Sequence, residues 1–380
     1  MSNKDWTVHN PSGTKRVIVT KQLPGQLWLD RLTNAGCRVE VCTSPDILSV
    51  DEIVAAMGES CDGAIGQLTE AWGETLFAAL KAAGGSAYSN YAVGYNNVDV
   101  DVATAHGIPV GNTPGVLTET TAEMTVALTF AAARRVVESD AFMRGGHYHG
   151  WLPTLFLGTL MRGCTVGIVG AGRIGAAYGR MMAEGLKANL VYYDLYQNSA
   201  LEAYIAAYSD FLVSQGEAPV TCTRLDSVEA VLAASDVVSL HPVLDEPTHH
   251  LINAERLNMM KPDAILINAS RGPVIDEAAL VAHCQANPDF RAGLDVFEDE
   301  PDMAPGLAEL DNVVIVPHIA SATKWTREGM ATLAASNVAA ILSGYPAWSD
   351  ANDILGFLGD NPPKAAPSIV NADQIGLAKY

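Results

Sequence analysis

The feature that most limits how this chain can fold is a glycine-rich turn, Gly170-Ala-Gly-Arg-Ile-Gly175, set between an apolar run and a helical pattern. Residues Cys164 to Gly170 read as a short buried strand of a parallel sheet, and Arg173 to Ala183 read as a helix. In such a turn Gly170 permits the tight bend, Gly172 lets a pyrophosphate approach the backbone, and Gly175 lets the helix pack on the strand. Arg173 and Ile174 fall in the first helical turn, whose unpaired N–H groups favour phosphate. A second apolar run, Leu190 to Tyr193, leads to Asp194 about 20 residues past the turn, where a carboxylate accepts hydrogen bonds from ribose hydroxyls. The same charge repels a 2'-phosphate, so the unit is expected to take NAD(H) rather than NADP(H). With 33 glycines in the chain, chance matches to GxGxxG are common. The order strand, turn, helix, strand, acid carries the inference.

Length and charge narrow the class further. A chain of 380 residues suits two domains, each with its own core. With 49% hydrophobic and 17% charged residues it is expected to be a soluble globular protein. The net charge of -20, from 43 acids against 23 Lys and Arg, argues against nucleic acid as a partner. Small anions can still bind locally, with Arg173 and Arg271 as counter-charges. Six cysteines (Cys37, Cys42, Cys61, Cys164, Cys222, Cys284) are scattered without a CxxC or a paired Cys/His spacing, so reduced thiols and no metal site are expected. Cys37 and Cys42 are near enough in sequence to raise the question of a pair. No run of about 18 apolar residues marks a membrane span. The start, Met1-Ser-Asn-Lys-Asp-Trp6, lacks the pattern of a secretory leader, and an intracellular setting is expected.

Along the chain, Lys15 to Thr20, Arg38 to Cys42 and Gly63 to Gln67 read as strands separated by helical patterns such as Gly25 to Ala35. Gly107 to Gly111 is a further strand, and Asn112-Thr-Pro-Gly115 opens a long helix from about Leu117 to Val137. The glycine-turn unit therefore begins after a first α/β unit is complete. After residue 318 one long helical pattern remains, Thr326 to Leu342, followed by a Pro-rich tail. The simplest topology returns that segment to the first unit. The expected architecture is α/β with two Rossmann-like or flavodoxin-like domains: residues 1–112 with 322–380 binding substrate, and residues 113–321 binding the dinucleotide. A cleft between domains is the default substrate site.

Three residues downstream of the turn carry the expected chemistry. The apolar run Ala264 to Asn268 delivers Arg271 beyond its C-terminal end, where open parallel sheets bind ligands. Arg291 precedes its strand and is expected at the opposite edge. The run Ala292 to Phe297 delivers Asp295 and then Glu300, and Asn312 to Pro317 delivers His318. Reduction of a 2-keto acid needs an acid that protonates the carbonyl oxygen as hydride arrives, and His suits that task near neutrality. A carboxylate on its second ring nitrogen, here Glu300, orients the ring and favours the imidazolium. Arg271 holds the substrate carboxylate and carbonyl with a planar charged fork. Singly, these residues are equally a salt-bridged Arg, a solvated acid and a capped His. Jointly, at three strand ends behind one glycine turn, they point to catalysis.

The segments Ser270 to Leu280, Gly293-Leu-Asp-Val-Phe-Glu-Asp-Glu-Pro301 and Pro317-His-Ile-Ala-Ser321 resemble the signatures of the D-2-hydroxyacid dehydrogenases, a likeness covering nearly the whole chain. It implies Arg271, Glu300 and His318 as the catalytic set and Asp295 at the nicotinamide carboxamide. Further cofactor contacts are implied at His241, Pro242, Ala269 and Ser270. The loop Ser89 to Asp99 resembles the family's substrate loop, with Ala92, Val93 and Gly94 at the substrate carboxylate. Asp194-Leu-Tyr-Gln197, the lengthened segment Asn198 to Val220, and Ala320 to Met330 are similar to the plant-type, NADH-dependent hydroxypyruvate reductase branch. That branch implies reduction of hydroxypyruvate to D-glycerate in photorespiration, with glyoxylate a poorer substrate. It also implies a homodimer, the helix from Leu117 and the segment Gly150 to Pro153 lying at its interface and Trp151 reaching the neighbouring subunit's substrate. A Trp packed only for dimer stability is the equal alternative. Plant members end in a peroxisomal Ser-Lys-Leu-type tripeptide, whereas this chain ends Ala-Lys-Tyr380, so mitochondrion and cytosol stand beside peroxisome. Two other functions share these residues: a glyoxylate or phosphoglycerate reductase, and an NADH-sensing, corepressor-like binding protein.

Overall fold

The computed structural model of the chain describes residues 5–350 and 353–380. The chain folds into two compact units, one from the residues up to Leu117 with those from Ala322 onward, the other from Thr118 to Ser321. In the first unit the strands are β1 (Trp6–His9), β2 (Lys15–Val19), β3 (Cys37–Cys42), β4 (Gly63–Gly66), β5 (Ala87–Asn90) and β6 (Val110–Gly111). Helices α1 (Leu27–Asn34), α2 (Val50–Met57), α3 (Glu74–Ala82) and α4 (Val100–Ala105) connect them. The sheet runs β1-β3-β2-β4-β5-β6 and is parallel except for β1. Its inner strands are largely buried on both faces because helices cover both. Val17 and Val19 of β2 point into one core and Ile18 into the other, as the period of two in a strand requires.

The second unit begins with α5 (Thr118–Ala133) and α6 (Val136–Arg144). A wound sheet follows: β7 (Thr165–Val169), α7 (Arg173–Leu186), β8 (Asn189–Tyr193), α8 (Ser199–Ser214), β9 (Cys222–Arg224), α9 (Val228–Ala234) and β10 (Val237–Leu240). It continues through α10 (Ala254–Leu257), β11 (Ile265–Asn268), α11 (Glu277–Ala286), β12 (Arg291–Leu294) and β13 (Val313–Ile315). All seven strands are parallel, in the order β13-β12-β11-β10-β7-β8-β9. The chain winds outward from β7 in one direction and from β10 in the other. The crevice between those two strands is where a doubly wound sheet binds its ligand.

The last helix, α12 (Lys324–Leu342), returns to the first unit, as the sequence predicts, and packs on α1, β4 and β5. Thr323 caps it, its hydroxyl accepting from the Thr326 N–H at 3.2 Å. From Met330 to Ala340 every residue is buried, the property of a helix enclosed on all sides.

Three local expectations are corrected. The boundary lies after Leu117 rather than Asn112, because Val116 is buried in the first unit's core and the Thr113 N–H donates to Ala92 O at 2.8 Å. The helix expected from Leu117 to Val137 is two helices, broken at Arg135, whose φ of 54° is left-handed. No Gly or Pro marks that break. The Arg135 guanidinium chelates Glu138 and lies over the Phe156 ring at 5.0 Å, contacts that hold a conformation costly for a non-glycine residue. The strand expected at Gly107–Gly111 is reduced to two residues. Cys37 and Cys42 lie on β3 five residues apart, so they face opposite cores and cannot pair. All six cysteines are free thiols. No helix among the described residues is long and apolar enough to cross a membrane.

Candidate active site

Each glycine of the turn is fixed by a different contact. Gly170 has a φ of 91°, and a Cβ there would stand 2.7 Å from the His241 carbonyl carbon, so the end of β7 lies against the end of β10 at the switch point. A Cβ on Gly175 would stand 2.2 Å from Gly170 O, which seats α7 on β7. A Cβ on Gly172 would meet nothing within 4 Å. Gly172 is also the N-cap of α7 and supplies no side-chain acceptor to the helix's first N–H groups. An open approach and an uncapped helix start fit a pyrophosphate. A cavity of about 570 Å³ borders the turn, lined in part by Gly172, Arg173, Arg180 and Asn198.

Around the turn, Ile174 is partly buried and Arg173 exposed. The His241 N–H donates to Val169 O at 2.8 Å, and its ring bonds Ser239 Oγ at 2.8 Å. Desolvation pulls that imidazole down to about 3, so it stays neutral and is no proton donor near neutrality. Pro242 follows directly against Gly170. Asp194 caps its own turn, Oδ1 accepting from the Tyr196 N–H at 3.0 Å. Arg224, at the end of β9, donates to the carbonyls of Asp194 and Leu195 at 2.9 and 3.1 Å. The lengthened segment from Asn198 is α8. Asn198 caps it and also donates to Ala171 O at 2.7 Å, tying the helix to the glycine turn.

Arg271, Glu300 and His318 come together at the C-terminal edge of β11, β12 and β13. Asn268 shapes the turn after β11: its carbonyl oxygen accepts from Ser270 N–H and Oγ at 3.0 and 2.7 Å, and its amide donates to Arg271 O at 2.9 Å. Ala269 between them is buried. Arg271 is partly buried and donates to Ser270 O at 2.7 Å. Burial lowers its pKa from the ordinary arginine value, with the Glu300 carboxylate opposing. Gly272 then passes so close to the next segment that a Cβ would lie 1.8 Å from Phe297 O. Arg291 stands at the start of β12, at the other end of the sheet from Arg271.

Glu300 Oε2 lies 2.9 Å from His318 Nδ1, and Oε1 accepts from the Phe297 N–H at 3.1 Å. Burial alone would raise this carboxyl. The His318 contact, the Phe297 amide and the Arg271 charge together hold it below the usual carboxylate range. Glu300 is therefore an anion at neutral pH, bonded to one ring nitrogen of the histidine. His318 itself is left-handed, with a φ of 52°. The fully buried Asp295 holds it there: Asp295 O accepts from the His318 N–H at 2.9 Å, and the carboxylate accepts from Ile319 and Ala320 N–H at 2.6 and 2.9 Å. Burial raises the Asp295 pKa against these bonds.

The expected substrate loop belongs to the first unit. The carbonyls of Ala92, Val93 and Gly94 accept from Thr113 N–H, Asn112 Nδ2 and Asn90 Nδ2 at 2.8, 2.8 and 3.0 Å. In a trans peptide the N–H points opposite the preceding carbonyl, so these bonds turn the Val93 and Gly94 amides away from the unit's interior. Trp151 is 77% exposed, in the irregular segment after α6.

Residues 126–320 match the family described as D-isomer specific 2-hydroxyacid dehydrogenase, NAD binding domain. The chain belongs to this family. It is 62% identical to the peroxisomal glycerate dehydrogenase HPR of Arabidopsis thaliana, over 97% of both chains, and 62% identical to the glycerate dehydrogenase of Cucumis sativus, over 98% of both. Among solved structures it resembles the TT0316 protein of Thermus thermophilus, with a TM-score of 0.76, 39% identity, and coverage of 87% of this chain and 97% of that one. The second unit is thus the dehydrogenase's NAD-binding domain, and the chain is an NAD-dependent oxidoreductase. Sequence reasoning missed the groups that hold the site residues in place: Asn268, Asn198 and Arg224, and the carbonyl half of Asp295. An Asn directly at the end of an apolar strand was the one signal available for Asn268.

Proposed function

We propose that this dehydrogenase reduces hydroxypyruvate to D-glycerate with NADH, acts more slowly on glyoxylate, and serves photorespiration. The His318–Glu300 contact carries the mechanistic reading, and whole-length similarity to two glycerate dehydrogenases supports the choice of substrate. Gly170, Gly172, Arg173, Ile174, Gly175 and Asp194 would hold the dinucleotide, with Ala269, Ser270, Asp295, His241 and Pro242 at its nicotinamide half. Bound NADH supplies the hydride for the keto carbon. Arg271 binds the substrate carboxylate and carbonyl oxygen. In the first unit, the loop from Ala92 offers the amides of Val93 and Gly94 to a carboxylate. His318 gives the Nε2 proton to the carbonyl oxygen, while Glu300 accepts from Nδ1–H and fixes the ring's orientation. The Asp194 carboxylate disfavours a 2'-phosphate, and Arg224 keeps the backbone of that turn in place.

Trp151 lies in an exposed apolar stretch with Val136, Val137, Met143, Leu157 and Leu160, which suits a homodimer interface. The peroxisomal relative supports a peroxisomal location, and fractionation of expressing cells tests this against mitochondrion and cytosol. The activity is tested by following NADH absorbance with hydroxypyruvate, glyoxylate, pyruvate and 3-phosphohydroxypyruvate in parallel. Hydroxypyruvate well ahead of the others supports the proposal. No turnover despite tight NADH binding would make the chain a sensor instead.

A further inference from the structure

Beside the catalytic segment, on the chain between β10 and α10, stand two adjacent histidines. His250 has a φ of 49°, an unfavourable conformation for a side chain of its size. In an extended backbone adjacent side chains point to opposite sides. Here the left-handed turn places both imidazoles together, stacked with centroids 4.1 Å apart. A backbone bond from His250 N–H to Pro273 O at 2.8 Å fixes the turn. A third donor comes from a distant part of the chain: Glu298 Oε1 lies 2.5 Å from His250 Nε2. One donor atom from each of His249, His250 and Glu298 falls within 4.8 Å of the others, and His249 is exposed. This is the one such group of metal-binding side chains among the described residues.

We infer that His249, His250 and Glu298 form a binding site for a divalent transition metal ion, with zinc the representative case. Two imidazoles and a carboxylate are the donor set of three-ligand zinc sites that keep a fourth position for water. Tetrahedral bonds of this length place donors about 3.4 Å apart. The His250–Glu298 pair, at 2.5 Å, stands closer than that and opens by about 0.9 Å to admit the ion, while the exposed His249 ring turns inward to supply the third donor. Glu298 is supported from behind, its Oε2 accepting from Glu277 N–H at 3.3 Å and its own N–H donating to Glu277 Oε1 at 2.6 Å. A bound ion takes the place of the direct contact between His250 Nε2 and Glu298 Oε1. Glu298 precedes Glu300 by two residues, so the ion clamps the segment that presents Glu300 to the loop after β10. No sequence motif marks this site, because His250 and Glu298 are 48 residues apart.

The test is calorimetric titration of full-length, tag-free protein with zinc chloride near neutral pH, beside His249→Ala, Glu298→Gln and the distant control His147→Ala. One equivalent bound by the native protein and by His147→Ala, weakened at least about tenfold in both site variants, is expected, since even outer-sphere changes cost that much. His249 is exposed, so its variant should fold, and circular dichroism checks it. No binding by the native protein, or binding unchanged in His249→Ala and Glu298→Gln, overturns the site.

Discussion

His318 occupies a left-handed backbone conformation, which a non-glycine residue keeps only when its surroundings enforce it. Asp295 provides the enforcement through three backbone N–H groups. Asp295→Ala leaves the partly buried Ile319 amide and the buried Ala320 amide without that acceptor, the buried one costing about 1–3 kcal/mol. Thermal unfolding should therefore show a clear loss of stability together with lower turnover, and a variant with native stability would refute the clamp. Glu300 is held below the ordinary carboxylate range, so its contribution to folding is present above the unfolded value of about 4.3 and is lost as pH falls through the lower folded value. Around neutrality Glu300 does not titrate. Glu300→Gln removes the anion facing Nδ1, so turnover should fall while NADH affinity stays native; native turnover would exclude the orienting role. The meeting of Arg271, Glu300 and His318 was legible from the sequence because each follows an apolar strand on the same edge of the sheet. The clamp was not, because backbone hydrogen bonds from a buried carboxylate leave no pattern in a single sequence.

At the level of elements, the glycine turn separates folding from binding. Gly175→Ala drives a methyl group against the Gly170 carbonyl, a backbone clash that should cost about 1–3 kcal/mol or more. Gly172→Ala meets open space at an ordinary φ of -71°, so it should unfold at the native temperature while raising the KM for NADH. Equal effects of the two substitutions, by thermal melts and steady-state kinetics, would contradict the division. Strand and helix positions followed from apolar runs and turn chemistry, as at β7, α7 and β8. The break between α5 and α6 did not, because Glu138 and Phe156 stabilise it through tertiary contacts that override local helix preference.

For the whole molecule, the order of the seven parallel strands places the ends of β7 and β10 together, so one crevice is built from segments far apart in sequence. The return of α12 to the first unit could be anticipated, since one long apolar helix remained after the last strand of the second. The exposed apolar stretch around Trp151 is expected to be covered in a homodimer. Sedimentation should give a dimer, and the pair Leu157→Glu with Leu160→Glu should dissociate it. A native monomer would remove the interface. The central claim, that His318 supplies the proton, is tested most directly in His318→Gln by measuring NADH binding and hydroxypyruvate turnover on the same preparation. Native affinity for NADH is predicted, with turnover lowered roughly 10²- to 10⁴-fold, the usual range for losing a general acid. Turnover unchanged, at native NADH affinity, would contradict it.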